Sequence, residues 1–294
     1  MDWVTGGCEH FEIREPASQT IPFVFNSPHS GRCYPHTFLS ETRLDSLAIR
    51  RSADHYVDEL FAAAPELGAP LLIAHFPRAY LDVNREPYEL DPKMFDGPLP
   101  PYANIGSLRV AGGLGTIPRI VAENMEIYGR RLGVEEGLAR IEAVYKPYHA
   151  SLRRLVAKTH AGFGFSILID CHSMPGNIRL SGTEFRPDFI LGDRYGTSAS
   201  AELSRAALGF LSDLGYSAVR NKPYAGGFIT EHYGRPARGL HALQIEINRA
   251  LYVDETTLEK KPQFDAVAGD LFSFMRRLSE FADEFGGTTA LAAE

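Results

Sequence analysis

The run from Phe165 to Asp170, FSILID, constrains the fold of this chain more than any other stretch. Its β-rich, mostly apolar composition predicts a buried strand, and it delivers the chain directly into Cys171-His172-Ser173. Similar runs recur at Ile21 to Asn26, Pro70 to Phe76, Tyr80 to Asn84, Asp188 to Gly192, Ser217 to Arg220 and His241 to Ile247. Between them the pattern predicts helices over 41–64, 119–131, 135–161, 198–214 and 263–284. Gly215 is a good stop for the fourth of these, and Pro147 is expected to kink or split the third. Strands interleaved with helices predict an α/β three-layer sandwich on one mixed, mostly parallel sheet. No repeat or linker divides residues 1–294, so a single domain is expected, with its core at about 20–285. The segment 86–118, rich in Pro, Gly and Tyr, reads as a long loop serving a site, and residues 286–294 read as a frayed tail.

Composition narrows the class. The chain has 294 residues, 44% hydrophobic and 23% charged, as in ordinary globular proteins. No apolar run approaches the roughly 18 residues that span a bilayer. Met1 to Thr20 carries acids and a proline, so no signal peptide is expected. Cys8, Cys33 and Cys171 are an odd set without CxxC spacing, which predicts no disulfide framework. A cytoplasmic enzyme fits best. The net charge of −7 argues against a nucleic-acid surface, and nothing points to a membrane partner. It leaves an anionic substrate open, because local arginines can bind a carboxylate on an acidic protein.

Polar residues gather where the expected strands end, the place where open α/β sheets bind ligands. The first strand runs into Ser-Pro-His29-Ser-Gly, and the third into Asp82-Val-Asn84-Arg85. FSILID runs into Cys-His172-Ser, and the last strand carries Gln-Ile-Glu246-Ile-Asn-Arg249. Each member has an ordinary alternative. His29 reads as a loop histidine or a metal ligand, and His172 as a half-buried histidine or a ligand. Asp170, two residues earlier on the same side of its strand, is placed to orient the His172 ring. Asp54 reads as part of a solvated helical face or as a ligand. Glu246, between two isoleucines, is costly to bury alone, so it is either a partner of Arg249 or a catalytic base. Cys171 points away from His172 on a strand, which disfavours a cysteine hydrolase.

The stretches SPHSG (27–31), SADHYVDELF (52–61), YLDVNR (80–85), IDCHS (169–173), YAGGFITEHYG (224–234) and QIEINRALY (244–252) together resemble the N-formylglutamate amidohydrolases, the deformylases of histidine breakdown. The resemblance runs in order from about residue 20 to 255. It implies a fold similar to zinc carboxypeptidases and aspartoacylases, and a zinc ion, or another divalent metal, held by two histidines and a carboxylate. His29 and His172 match the two histidines. The glutamate that carboxypeptidase-type sites carry three positions after the first histidine is Arg32 here, and Asp54 is taken as the third ligand. Glu246 matches the catalytic glutamate, and Asn84-Arg85 the pair that binds the substrate carboxylate. Asp82 and Asp170 are expected behind the histidines. Arg119 and Arg249 are either holders of a second carboxylate or structural ion pairs. Thr230, His232 and Tyr233, after Gly226-Gly227, form either a loop closing over the ligand or a plain turn, with His232 a candidate for stabilising the oxyanion. The implied activity is metal-dependent hydrolysis of a small anionic N-acyl amino acid, N-formyl-L-glutamate giving glutamate and formate. The alternatives are a deacylase of another N-acyl amino acid, and a metal-holding protein without turnover, which would have no need of Glu246.

Overall fold

The structure, a computed structural model, describes residues 8–291, with side chains through residue 282. By contact density the chain falls into two compact units. One comprises Met1–Glu12, Pro28–Ala53 and Ile73–Ser151, the other Ile13–Ser27, Asp54–Leu72 and Leu152–Glu294.

A seven-stranded sheet organises the fold. Its strands are β1 (Phe11–Arg14), β2 (Phe23–Ser27), β3 (Leu71–Ala74), β4 (Ser166–Met174), β5 (Phe189–Gly192), β6 (Ala218–Arg220) and β7 (Leu240–Asn248). They lie in the order β1-β3-β2-β4-β7-β5-β6. β2 and β7 flank β4 in parallel, β6 is parallel to β5, and β5 runs antiparallel to β7. This is the expected α/β fold on a mixed, mostly parallel sheet. All nine residues of β4 are buried, as an apolar strand covered on both faces requires.

In the second unit, helix α2 (Ala201–Asp213) follows α1 (Lys146–Phe163) in chain order and begins where Ser200 Oγ accepts the Leu203 N–H at 3.2 Å. That is the usual N-cap arrangement. α3 (Phe228–Tyr233) and α4 (Phe264–Leu291) follow. The helix before α1 is continuous with it and is not split at Pro147: Val134–Arg140 passes through a π-turn, Ile141–Tyr145, into α1. Pro147 has no N–H to donate, and the π-turn that ends with the Lys146 N–H on Ile141 O lies directly before it.

Several expected elements are corrected. Residues 119–131 form a short hairpin, Ile120–Ala122 against Met125–Glu126, because Asn124 takes a φ of 60° and turns the chain. Residues 41–64 do not form one helix. Tyr56 at φ 60° interrupts them, and only Val57–Leu60 is α-helical. Tyr80 to Asn84 is irregular, because Asp82 Oδ1 accepts the Asn84 N–H at 2.8 Å, a local side-chain turn that competes with extended pairing. The 86–118 segment holds only short pieces, Pro92–Met94, Phe95–Asp96 and Leu108–Ala111. The expected tail is helical as far as Leu291, and residues 292–294 lie outside the described residues. Cys8 and Cys33 form a disulfide, which corrects the expectation of none. Spacing could not reveal it, since only folding brings residues 25 apart together. No described helix is long and apolar enough to cross a membrane.

Candidate functional site

Register places the chemistry on one face of the sheet. Asn26 on β2 pairs with Asp170 on β4, which pairs with Gln244 on β7, which pairs with Gly192 on β5. Two residues on, His172 pairs with Glu246, which pairs with Ile190. Since side chains alternate with period two, Asp170, His172, Gln244 and Glu246 share a face. Cys171 lies on the opposite one, fully buried. Burial, reinforced by the Asp170 charge, raises the Cys171 thiol well above its usual range, so it is no thiolate nucleophile.

Within the second unit these side chains form a relay. Asn26 Nδ2 donates to Asp170 Oδ1 at 2.7 Å, and Asp170 Oδ2 meets His172 Nε2 at 2.8 Å. His172 Nδ1 lies 3.0 Å from Asp54 Oδ2. The other oxygen of Asp54 accepts from Ser173 Oγ at 3.0 Å and from Arg249 Nη2 at 3.1 Å. Burial opposes charge on His172, but the Asp170 carboxylate and the hydrogen bonds of Asp170 and Asp54 outweigh it, so its pKa stands well above the usual value. Asp54 is wholly buried and belongs to no solvated helical face. Arg249 is buried too, and it also donates from Nε to Ser173 Oγ at 2.9 Å. Arg249 and Asp54 thus form a buried ion pair. Glu246 Oε1 accepts from Gln244 Nε2 at 2.8 Å.

The first unit carries a parallel arrangement around Asp82. His29 Nε2 lies 2.8 Å from Asp82 Oδ1, and Arg78 Nε donates to Asp82 Oδ2 at 2.9 Å. Arg85 Nη2 stands 3.6 Å from the same oxygen. Burial opposes ionisation of Asp82, but Arg85, then His29 and Arg78, hold its carboxyl well below the usual carboxylate range. Gly31 in the Pro-His-Ser-Gly turn sits where a Cβ would fall 2.0 Å from the Phe76 carbonyl oxygen. Only glycine lets the turn that carries His29 pass that backbone. Arg85 Nε donates to Leu114 O and Nη1 to Asn84 O, both at 2.8 Å, and Tyr145 Oη donates to Arg85 O at 2.7 Å. These bonds hold the Asn84-Arg85 turn in a set shape. Arg119 is committed elsewhere, to Asp91 at 2.7 Å and Glu126 at 3.0 Å.

His29 lies in the first unit and Asp54 and His172 in the second, all three are buried, and together they are a group that could hold a metal ion. The donor set, two imidazoles and a carboxylate, suits a catalytic zinc site with an open position. Each imidazole has its second nitrogen on a carboxylate, Asp82 for His29 and Asp170 for His172. This is the partner that metal-bound histidines characteristically take, fixing tautomer and ring orientation.

Other expected residues fall differently. Thr230 is buried, its hydroxyl donating to Gly227 O at 2.9 Å within the first turn of α3. His232 is exposed on the same helix and stacks on Phe228, with ring centroids 5.1 Å apart. The segment after Gly226-Gly227 is therefore a helix in place of the expected loop or turn. Ser173, Asn26 and Gln244 went unnoticed in the sequence. A visible signal existed for two of them: Asn26 closes an apolar strand, and Gln244 alternates with Glu246.

A family model described as N-formylglutamate amidohydrolase matches residues 21–253. The chain belongs to that family. Among curated members, the N-formylglutamate deformylase of Pseudomonas putida is 30% identical over 243 residues, covering 80% of this chain and 83% of the relative. The deformylase of Pseudomonas aeruginosa is 30% identical over 239 residues with the same coverage. The crystal structure of an N-formylglutamate amidohydrolase from Ralstonia eutropha JMP134 matches with a TM-score of 0.88 and 36% identity, covering 93% of this chain and 98% of that one. A protein from Agrobacterium tumefaciens shares the fold, with a TM-score of 0.63 at 18% identity. The family's match begins at Ile21 and ends at Val253, so it takes in His29, Asp54, His172, Glu246 and Arg249.

Proposed function

We propose that this protein is a metal-dependent amidohydrolase that cleaves N-formyl-L-glutamate to glutamate and formate. The observation that carries the reading is the buried group His29, Asp54 and His172, which could hold a metal ion, with each imidazole backed by its own carboxylate. Family membership and the names of the relatives support the substrate. His29 and His172 would hold a divalent cation, zinc by preference, through the ring nitrogens that do not face Asp82 and Asp170. Asp54 would supply the carboxylate ligand. A metal bound there supplies Lewis acidity toward the amide carbonyl and makes water more acidic.

The chain's own residues do the rest. Glu246 takes the proton from the attacking water and passes it to the departing amine, as a general base that then serves as acid. Arg85, with Asn84, receives a substrate carboxylate, since the planar guanidinium offers paired donors that an ammonium lacks. Arg249 is kept by Asp54 and Ser173, so its part is to hold the metal-ligand carboxylate in place. We read the enzyme as cytoplasmic.

The test is a Glu246→Gln variant assayed beside the parent for metal content, melting temperature and hydrolysis of N-formyl-L-glutamate. Loss of the base should lower kcat on the order of 100-fold or more, while metal content and fold persist. Chelator treatment of the parent should abolish turnover, and zinc should restore it. A folded, zinc-loaded Gln variant with near-normal kcat would refute the base. A parent active on other N-acyl amino acids but inert toward N-formyl-L-glutamate would move the substrate assignment.

A further inference from the structure

Gln244 lies one register step from Glu246 on the same face of β7. Its amide has two partners of opposite kind. The Gly227 N–H donates to Gln244 Oε1 at 2.8 Å, and Gln244 Nε2 donates to Glu246 Oε1 at 2.8 Å, both in buried surroundings. A backbone N–H can only donate and a carboxylate can only accept, so this pair fixes which end of the amide faces which neighbour. A flipped amide would set its NH2 against the Gly227 N–H and its oxygen against the Glu246 carboxylate.

The Gly227 end is itself fixed. Gly192 is the register partner of Gln244 on β5. A Cβ added there would fall 2.7 Å from Gly226 N and 2.8 Å from the Ala225 carbonyl carbon. The bare backbone of Gly192 is what lets the 225–227 segment settle onto the sheet beside Gln244. Thr230 Oγ1, donating to Gly227 O at 2.9 Å, ties the same segment to the start of α3. A backbone seat on β5, the 225–227 segment, the Gln244 amide and the Glu246 carboxylate thus form one connected series.

We infer that Gln244 is a positioning residue for Glu246, holding the rotation of its carboxylate through one donated hydrogen bond and taking its own orientation from Gly227. The inference rests on the reading of Glu246 as the general base. It accounts for a feature that reading leaves idle, a fully anchored amide aimed at the reactive carboxylate. Gln244 touches neither substrate nor metal in this role and acts through Glu246 alone.

Gln244→Met keeps the volume and removes both polar ends. In the zinc-loaded enzyme assayed with N-formyl-L-glutamate, kcat should fall on the order of 10- to 100-fold, the size of one hydrogen bond to a charged group. KM and metal content should stay near the parent values. A residue acting only through Glu246 has nothing left to act on once the base is gone. In a Glu246→Gln background, the second change should therefore cost less than about twofold. A crystal structure of Gln244→Met should show the Glu246 carboxylate turned from its parent orientation. If Gln244→Met does not fold, Gln244→Asn, which draws the amide back by one methylene, should give the same kcat loss. Parent-like kcat, an equal loss in both backgrounds, or an unmoved carboxylate would overturn the inference. Should Glu246→Gln itself leave kcat intact, the base assignment fails instead, and the crystal structure still decides whether Gln244 sets the carboxylate.

Discussion

Replacing Arg249 with methionine keeps the aliphatic stem and removes a guanidinium that donates to Asp54 Oδ1 at 3.1 Å and to Ser173 Oγ at 2.9 Å. Both ends of the ion pair are buried. Breaking a buried pair by removing one partner costs about 3–5 kcal/mol, because the remaining charge is left in a poorly solvating place. Here the lower end applies, since His172 stands 3.0 Å from the other Asp54 oxygen as a second positive neighbour and its pKa is raised well above the usual value. At about 2–4 °C per kcal/mol for a chain near this size, a loss of about 3 kcal/mol lowers Tm by about 6–12 °C. Thermal unfolding of metal-free Arg249→Met against the metal-free parent measures it. Saturating zinc should then narrow the gap, because a cation bound to Asp54 supplies the charge that the variant lacks. If Arg249 instead received a substrate carboxylate, Tm would stay at the parent value while KM for N-formyl-L-glutamate rose, and that result would refute the reasoning.

Burial lowers the His241 pKa to about 4, and its Nδ1 accepts the Ser200 N–H at 3.2 Å, a bond only an unprotonated nitrogen can make. Between pH 6.5 and 4 the unfolded chain binds a proton that the folded chain refuses, so His241 removes stability as pH falls through that window, by about 3 kcal/mol in all. Denaturant unfolding from pH 7 to 4 should show a shallower decline in His241→Asn than in the parent; matching slopes would count against a buried neutral imidazole. Arg85→Lys loses the planar fork, and kcat/KM should drop by roughly 10- to 100-fold, the loss of a charge-assisted hydrogen bond. Steady-state kinetics with N-formyl-L-glutamate check it, and an unchanged kcat/KM would move the carboxylate site away from Arg85. Cys171→Ala should keep kcat within about twofold, since the thiol is buried on the face opposite His172 and such changes act only through packing; a collapse in turnover without loss of fold would revive a cysteine mechanism.

What could be read in the chain without its structure was whatever depends on neighbours along it. Alternation with period two put Asp170 and His172 on one face and Cys171 on the other, and the strand FSILID announced its own burial. Gly215 marked the stop of the 201–213 helix, and in the structure it takes a φ of 90° just beyond that helix. Local rules failed where a distant partner overrode them. Residues 119–131 carry helical spacing yet form a hairpin, with Arg119 reaching Glu126 at 3.0 Å and Asn124 supplying the turn at φ 60°. Tyr56 likewise holds a left-handed conformation that no propensity suggests, its hydroxyl donating to Leu258 O at 3.1 Å from 202 residues away.

The candidate site divides along the same line. The residue types and their places at strand ends were set by the sequence, as was the alternation that puts Asp170 and His172 on one side of their strand. Which groups each one meets was decided by tertiary structure alone. Asp54 and His172 are separated by 118 residues, Asp54 and Arg249 by 195, and Asn26 and Asp170 by 144. Nothing in the local chain distinguishes Arg249 as a holder of Asp54 from Arg249 as a receiver of substrate, because both need the same side chain. The difference is burial. A guanidinium removed from water must spend its donors on fixed acceptors nearby, and only the folded sheet determines that those acceptors are Asp54 and Ser173.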